Sequence, residues 1–224
     1  MDITVLFKLT YGLYVVGTFD EGRPVGCIIN TCFQVTSQNP IVAISLNKNN
    51  YTLEAVRKNT RFSLSILAED SDPAVIGSFG YRSSRDNDKY EGFGYDTVDG
   101  VPVVKGKFAG RLILDALNFV DNETHYVVFA RLVNTVPGEG TPMTYDYFHR
   151  VIKGKAPKNA PTYVEEDAEK EAEEGEKLAA DNRKHTYKCI VCGKEVEAEG
   201  NLPEDFKCPA CKKGRDVFER MPEK

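Results

Sequence analysis

The sequence predicts a mainly β protein: an antiparallel barrel over residues 1–160 and a small metal-binding module over 185–224. Short runs rich in β-branched and aromatic residues recur through the first part, separated by turn chemistry. Only two short helical stretches interrupt them, too few for a parallel sheet, whose strands need long crossovers. The second part carries two Cys-x-x-Cys pairs, Cys189–Cys192 and Cys208–Cys211, beyond an acidic run at 161–184.

The expected strands are Leu13–Phe19, Val25–Val35, Ile41–Asn47, Phe62–Leu67, Lys107–Leu117 and Tyr126–Val133. Asp20-Glu-Gly-Arg-Pro24, Ser37-Gln-Asn-Pro40 and Asp99-Gly-Val-Pro102 supply turns between several of them. Tyr51–Lys58 and Pro73–Phe79 read as the short helices. No Gly-rich dinucleotide fingerprint follows a strand and opens a helix, and no P-loop is present. Cys27 and Cys32 lie five apart, on opposite faces if that strand is unbroken. They read as small buried hydrophobes.

Composition narrows the class. The 224 residues are 41% hydrophobic, enough for one full domain and one small one. No apolar run approaches the roughly 20 residues needed to span a bilayer, and no apolar leader opens the chain. A cytoplasmic protein without a membrane anchor is expected. The net charge of −5 resides in the stretch from Val164 to Lys184, where nine acids meet four bases. The folded parts are therefore neutral and lack the basic surplus of a nucleic-acid binder. The acidic stretch, rich in Ala and Glu and poor in large apolar residues, reads as a helix-prone linker.

The doubled Cys-x-x-Cys is a strong metal signal. Each pair places two thiolates on one tight loop, and two loops make a tetrahedral sulfur cage suited to iron or zinc. Gly193 follows the first pair, where positive φ would be needed. Iron there would exchange one electron and zinc would be structural; the cysteines alone leave both open. The stretch Tyr187-Lys-Cys-Ile-Val-Cys-Gly193, then Leu202-Pro-Glu-Asp-Phe-Lys-Cys-Pro-Ala-Cys211 and Val217-Phe218-Glu219, resembles rubredoxin. The interval between Cys192 and Cys208 is short for that family, and Phe206 stands where a Trp is usual. The resemblance implies a small aromatic core of Tyr187, Phe206 and Phe218.

In the first part, Asn30, Thr31, Gln34 and Thr36 offer short polar groups beside an apolar strand, suited to a flavin edge. Arg82, Ser83, Ser84, Arg85 and Lys89 form a loop of hydroxyls and cations suited to a phosphate. The segments Thr10-Tyr-Gly-Leu-Tyr-Val-Val-Gly17, Gly26-Cys-Ile-Ile-Asn-Thr-Cys-Phe-Gln-Val-Thr-Ser37, Lys48-Asn-Asn-Tyr-Thr52, Phe79–Tyr90 and His125–Val133 together resemble the flavin reductase-like family. With the tail, the chain is similar to the fused high-molecular-weight rubredoxins. The resemblance implies a split β-barrel that binds FMN as a homodimer. It carries over Asn30, Thr31, Thr52 and Lys89, with Lys48, Asn50 and Ser84, as FMN contacts. His125 would position flavin or nicotinamide. Electrons from NAD(P)H would pass through FMN to a Fe(Cys)4 centre at Cys189, Cys192, Cys208 and Cys211, then to a flavodiiron-type acceptor protein. The alternatives are a free flavin reductase with a structural zinc-ribbon tail, and a flavin- and zinc-binding module without turnover.

Overall fold

Two-residue turns with both central residues in the left-handed region set the first hairpins. Glu21 (φ 50°) and Gly22 (φ 80°) join β1 (Tyr14–Asp20) to β2 (Arg23–Ile29), so Asp20 pairs with Arg23. This is the primed turn whose twist suits flanking strands. The same geometry recurs at Asp99 and Gly100 between two strands introduced below. The computed structural model describes residues 3–157, 159–163, 184–199, 202–203 and 205–221; the acidic run lies outside the described residues, apart from its first three residues and Lys184.

The chain forms two compact units, Met1–Tyr163 and Val164–Lys224. In the first, β3 (Cys32–Gln34), β4 (Ile41–Asn47), β5 (Arg61–Leu67), β6 (Tyr95–Val98), β7 (Val101–Val104), β8 (Phe108–Asn122) and β9 (His125–Pro137) follow β1 and β2. Seven of these make one antiparallel sheet in the order β2-β1-β5-β8-β9-β4-β3, while β6 and β7 pair as a separate hairpin. Helix α1 (Tyr51–Asn59) connects β4 to β5, and α2 (Pro73–Tyr81) follows β5. Their caps are local: the side chains of Asn50 and Asp72 accept from the backbone N–H of Thr52 and Ala74.

The sheet is rolled. Val16, Cys27, Ile29, Val42, Ile44, Leu46, Phe62, Leu64, Leu114, Val128 and Ala130 come from strands at both ends of that order, yet they share one core with Leu53 and Val56 of α1. A flat sheet could not bring β2 against β4. Among the described residues no ladder joins β2 to β3, so the barrel is split rather than closed. The outer face of β1 and β5 is covered by α2, β7 and the segment containing Met143 and Phe148. Gly26 has no side chain because Phe79 of α2 packs there; a Cβ would fall 2.9 Å from its ring.

Two expectations change. The run Val25–Val35 is not one strand: it breaks at Asn30-Thr31, and Cys27 and Cys32 both meet the inner core instead of opposite faces. Burial pushes both thiols above their ordinary value, Cys32 to about 12. The hairpin β6–β7, expected only as a turn at Asp99-Gly100, is a full two-stranded ribbon.

The second unit is a three-stranded sheet, β11 (Glu195–Glu199), β10 (Lys184–Cys189) and β12 (Phe218–Arg220), in that spatial order. Phe206 and Phe218 meet edge to face at 5.4 Å between ring centroids. His185 is buried, with Arg220 Nη2 2.8 Å from its Nδ1.

Candidate flavin site and metal centre

The two Cys-x-x-Cys loops repeat one backbone pattern. Cys189 and Cys208 N–H donate to Lys194 and Lys213 carbonyls, and their own carbonyls accept from Gly193 and Lys212. Both of these donating residues take positive φ, 73° at Gly193 and 63° at Lys212. The first loop uses glycine for that conformation; the second holds a lysine in it. Cys189 Sγ lies 3.7 Å from Cys211 Sγ, and Cys192 Sγ 3.5 Å from Cys208 Sγ. All four sulfurs lie within 4.8 Å of one another. A tetrahedron with metal–sulfur bonds of about 2.3 Å has edges of about 3.8 Å, so the cage fits a tetrathiolate metal. The backbone N–H of Cys211, with that of Ala210, draws the Cys208 thiol down to about 6, while Cys192, against the backbone N–H of Lys194, is pushed up to about 12 by burial and the neighbouring sulfurs, so the pair shares one thiolate. Ile190 and Val191, between the first pair, are exposed at 62% and 55%.

In the first unit the register of β4 with β9 sets Asn47 opposite His125. The next residues, Lys48 to Thr52, turn into α1, and Lys48 N–H donates to the Thr124 carbonyl. One rim of the rolled sheet therefore collects Asn47, Lys48, Asn50, Thr52 and His125. Asn30 and Thr31, at the break between β2 and β3, join it through the chain segment after Gly154: Asn30 Nδ2 donates to Thr162 Oγ1 at 2.7 Å, and Asn47 Nδ2 to the Asn159 carbonyl at 3.2 Å. Thr31 Oγ1 donates to Asn30 Oδ1.

Each side chain at this rim has a readable state. Thr124 lies 2.8 Å from His125 Nδ1, and His125 Nε2 lies 3.3 Å from the Asn159 carbonyl. A carbonyl can only accept, so Nε2 carries the proton and Nδ1 accepts from the threonine. Burial lowers the His125 pKa, opposed by that carbonyl, which keeps the ring neutral near pH 7. Lys48 Nζ bonds Asp121 at 2.6 Å and lies 5.3 Å from the Tyr126 ring centroid. Thr52 is fully buried; its hydroxyl finds no nitrogen or oxygen partner among the described residues, and its polar neighbour is the Cys27 thiol. Such a hydroxyl, beside the Asn50 cap at the start of α1, fits a site whose ligand supplies the missing nitrogen or oxygen.

The remaining expected residues sit elsewhere. Thr36 closes the turn before β4, accepting from Ile41 N–H and donating to the Asn39 carbonyl. It lies at the opposite end of β4 from Asn47, about 20 Å along the strand. Ser84 and Lys89 point into the wall rather than to the rim. Ser84 Oγ both accepts from Gly26 N–H and donates to the Gly26 carbonyl. Lys89 Nζ donates to the Gly26 and Phe79 carbonyls at 2.8 and 3.0 Å. Burial lowers its pKa, with Cys27 opposing. Arg85 bonds Glu54 and lies over the Tyr51 ring. The loop is pinned by residues whose charge and hydroxyl suggest phosphate binding. Asn47 was missed; its sequence signal is an amide at a strand end, directly before Lys48.

Comparison with known proteins agrees with this geometry. The model of the flavin reductase like domain matches residues 6–154. The high molecular weight rubredoxin of Moorella thermoacetica is 34% identical over 99% of this chain and 100% of its own length. The ferric-chelate reductase (NAD(P)H) of Archaeoglobus fulgidus is 35% identical over 74% of this chain and 99% of its own. Among solved structures, a homologue of nitrilotriacetate monooxygenase component B from Mycobacterium thermoresistibile superposes with a TM-score of 0.56 at 25% identity, covering 62% of this chain and 78% of that one.

Proposed function

Since this chain belongs to the flavin reductase-like family, in the form that continues into a rubredoxin-like tail, we propose that it is an NAD(P)H-dependent oxidoreductase that delivers electrons to a separate protein. The observation that carries this reading is the four-sulfur cage attached to a flavin reductase barrel, matched from end to end by a rubredoxin relative. FMN in the barrel supplies conversion of a two-electron hydride into single electrons, and iron held by four thiolates supplies one-electron exchange. Iron is favoured over zinc because a redox-silent ion would serve no purpose beside a flavin.

The chain's own residues divide the work. Asn30, Thr31, Asn50 and Thr52 provide buried or half-buried polar atoms for the resident flavin, and Lys48 a cation at its edge. His125, neutral with its proton on Nε2, donates a hydrogen bond and so orients its ligand; it is not placed to exchange protons. Cys189, Cys192, Cys208 and Cys211 hold the iron, while Ile190 and Val191 cover the sulfurs with small apolar groups. Fusion within one chain keeps the tail at an effective concentration near the mM range for the barrel. The receiving protein in this reading is a flavodiiron-type oxygen or nitric oxide reductase, by resemblance to the fused family. Homodimerisation of the barrel is supported by Phe33 and Val35, exposed on and just beyond β3, and by Leu117, Val120 and Val133 on β8 and β9. The site of action in this reading is the cytoplasm; among the described residues no helix is long and apolar enough to cross a membrane.

Anaerobic titration with NADH, following flavin and ferric-tetrathiolate absorption together, tests the reading. Both bands should bleach in the full chain. A chain ending at Tyr163 should keep flavin bleaching and lose delivery to a flavodiiron acceptor. Delivery at full rate by the shortened chain would refute the route through iron. A second reading, direct reduction of ferric chelates by the barrel, is favoured by the Archaeoglobus fulgidus relative. It predicts undiminished ferric-chelate reduction in the same shortened chain.

A further inference from the structure

The family match stops at residue 154, yet the segment that follows bonds four side chains around the flavin site. Gly154 starts it. A Cβ there would lie 2.0 Å from the Phe148 ring, so only glycine lets the chain leave along this path. Tyr81 then donates to the Lys155 carbonyl at 2.6 Å. At the far end Asn30 donates to Thr162 Oγ1 at 2.7 Å, and Thr162 Oγ1 donates in turn to Tyr145 Oη at 2.9 Å. Between these short anchors the contacts are long. Asn47 Nδ2 and His125 Nε2 both reach the Asn159 carbonyl, at 3.2 and 3.3 Å, on the solvent-exposed side of the rim. Two turns, Ala160 N–H to Pro157 O and Tyr163 N–H to Ala160 O, give the segment its own shape. Among its described residues it is a strap bonded at both ends by short contacts, with Ala156 buried, and by longer contacts at Asn159.

The middle contact has specific chemistry. Two N–H donors converge on a single amide carbonyl oxygen. The carboxamide of a nicotinamide ring offers the same acceptor. A resident flavin would use the buried groups, Asn30 at 4% exposure and Thr52 at 0%. A ligand that comes and goes each turnover would use the half-buried pair at the rim, Asn47 and His125. We infer that residues 155–157 and 159–163 belong to a displaceable strap whose Asn159 carbonyl occupies the seat of the nicotinamide carboxamide oxygen, so that NAD(P)H must lift it to bind. The inference rests on the flavin site proposed above. With the strap down, the apparent nucleotide affinity is reduced by the fraction of chains that are open. Removing an anchor raises that fraction. The loss of one or two net hydrogen bonds corresponds to about a threefold to tenfold change.

The test uses the full-length, flavin-loaded chain. Tyr81→Phe and Thr162→Val each remove one anchor without touching Asn47 or His125, and Thr162→Ser restores the hydroxyl. Steady-state NADH oxidation should show KM falling about threefold to tenfold in the first two variants. It should leave kcat unchanged and return KM to the wild-type value in Thr162→Ser. Flavin retention, read by fluorescence of the filtrate, should be unaltered. In the unmutated chain, adding NAD+ should speed hydrogen exchange at the Ala160 and Tyr163 amides, a readout that needs no variant. An unchanged or raised KM with flavin retained overturns the strap as a competitor. Slower exchange on adding NAD+ overturns it as well, because the strap would then be a wall that nucleotide tightens. A wild-type chain that binds no FMN would instead overturn the flavin-site reading, and the strap with it.

Discussion

The two units of this chain reach a fixed structure by different means. The barrel buries fully apolar side chains from seven strands and two helices, Phe62, Phe79, Phe108, Leu64 and Leu114 among them. The tail buries far fewer groups among its described residues: Tyr187, Leu202 and His185, plus Cys189 and Cys208, two of the metal-binding thiols themselves. In a domain of this size such a core cannot offset the chain entropy lost on folding. Metal ligation must supply the rest, and the spectroscopic centre is also the structural one. The comparison teaches that the barrel should tolerate losing its cofactor, whereas the tail should not.

The sharpest way to break this contrast is Cys208→Ser. Metal-coupled folding of such small sites is worth on the order of 10 kcal/mol, so the variant should lose its metal and its tail structure together. The barrel's melting, followed by flavin fluorescence, should not move. Common melting of both units would end the comparison. The converse is Phe62→Ala, which empties a fully buried position in the inner core. A loss of about 3–5 kcal/mol in chemical denaturation of the barrel is expected. The iron absorption should disappear at an unchanged denaturant concentration.

A smaller effect is expected at Asp20. Its carboxylate is buried, accepts from the Tyr51 hydroxyl and pairs with Lys58 at 3.0 Å. The Tyr51 hydrogen bond first, then that from Lys58, holds its pKa below the usual carboxylate value. A depressed folded pKa contributes stability above the unfolded value of about 3.9, lost as pH falls through the folded one. Asp20→Asn should therefore cost about 1–2 kcal/mol at neutral pH, and progressively less on acidification below about pH 4, measured by urea denaturation across pH. The smallest effect on stability belongs to Val191→Glu on the exposed loop of the cage. It should slow reduction of an acceptor protein while leaving both melting transitions and the metal spectrum unchanged. An unaltered rate at limiting acceptor would remove Ile190 and Val191 as the contact face.

Much of this was legible in the residues, where local chemistry decides. Ile41–Asn47 was read to the residue because Pro40 opens it and Asn50 caps the next helix. The four metal ligands were legible because two paired thiols at short spacing have few other uses. What escaped depends on long-range contacts. Asn30-Thr31 has no turn signature, so the break between β2 and β3 followed only from the roll of the sheet. Ser84 and Lys89 have the composition of a phosphate loop, but Gly26, about sixty residues earlier, turns them inward. The strap resembles a linker in composition, and its partners Tyr81, Asn47 and His125 are distant in sequence. The burial of His185 has no local signal either, because its partner Arg220 is 35 residues away in sequence.

The grip of Ser84 and Lys89 on Gly26 has a consequence for how copies of this protein can meet. At the β2 margin the outward N–H and C=O of Gly26 are already used, and Pro24 has no N–H to offer. At Pro24 and Gly26 that margin offers another strand no free N–H. The β3 margin, with Phe33 and Val35 exposed, has no such guard among the described residues. A sheet that can be extended from one side only cannot propagate head to tail. Any joining of sheets along their margins has β3 to use from each copy, and it is complete when two have met.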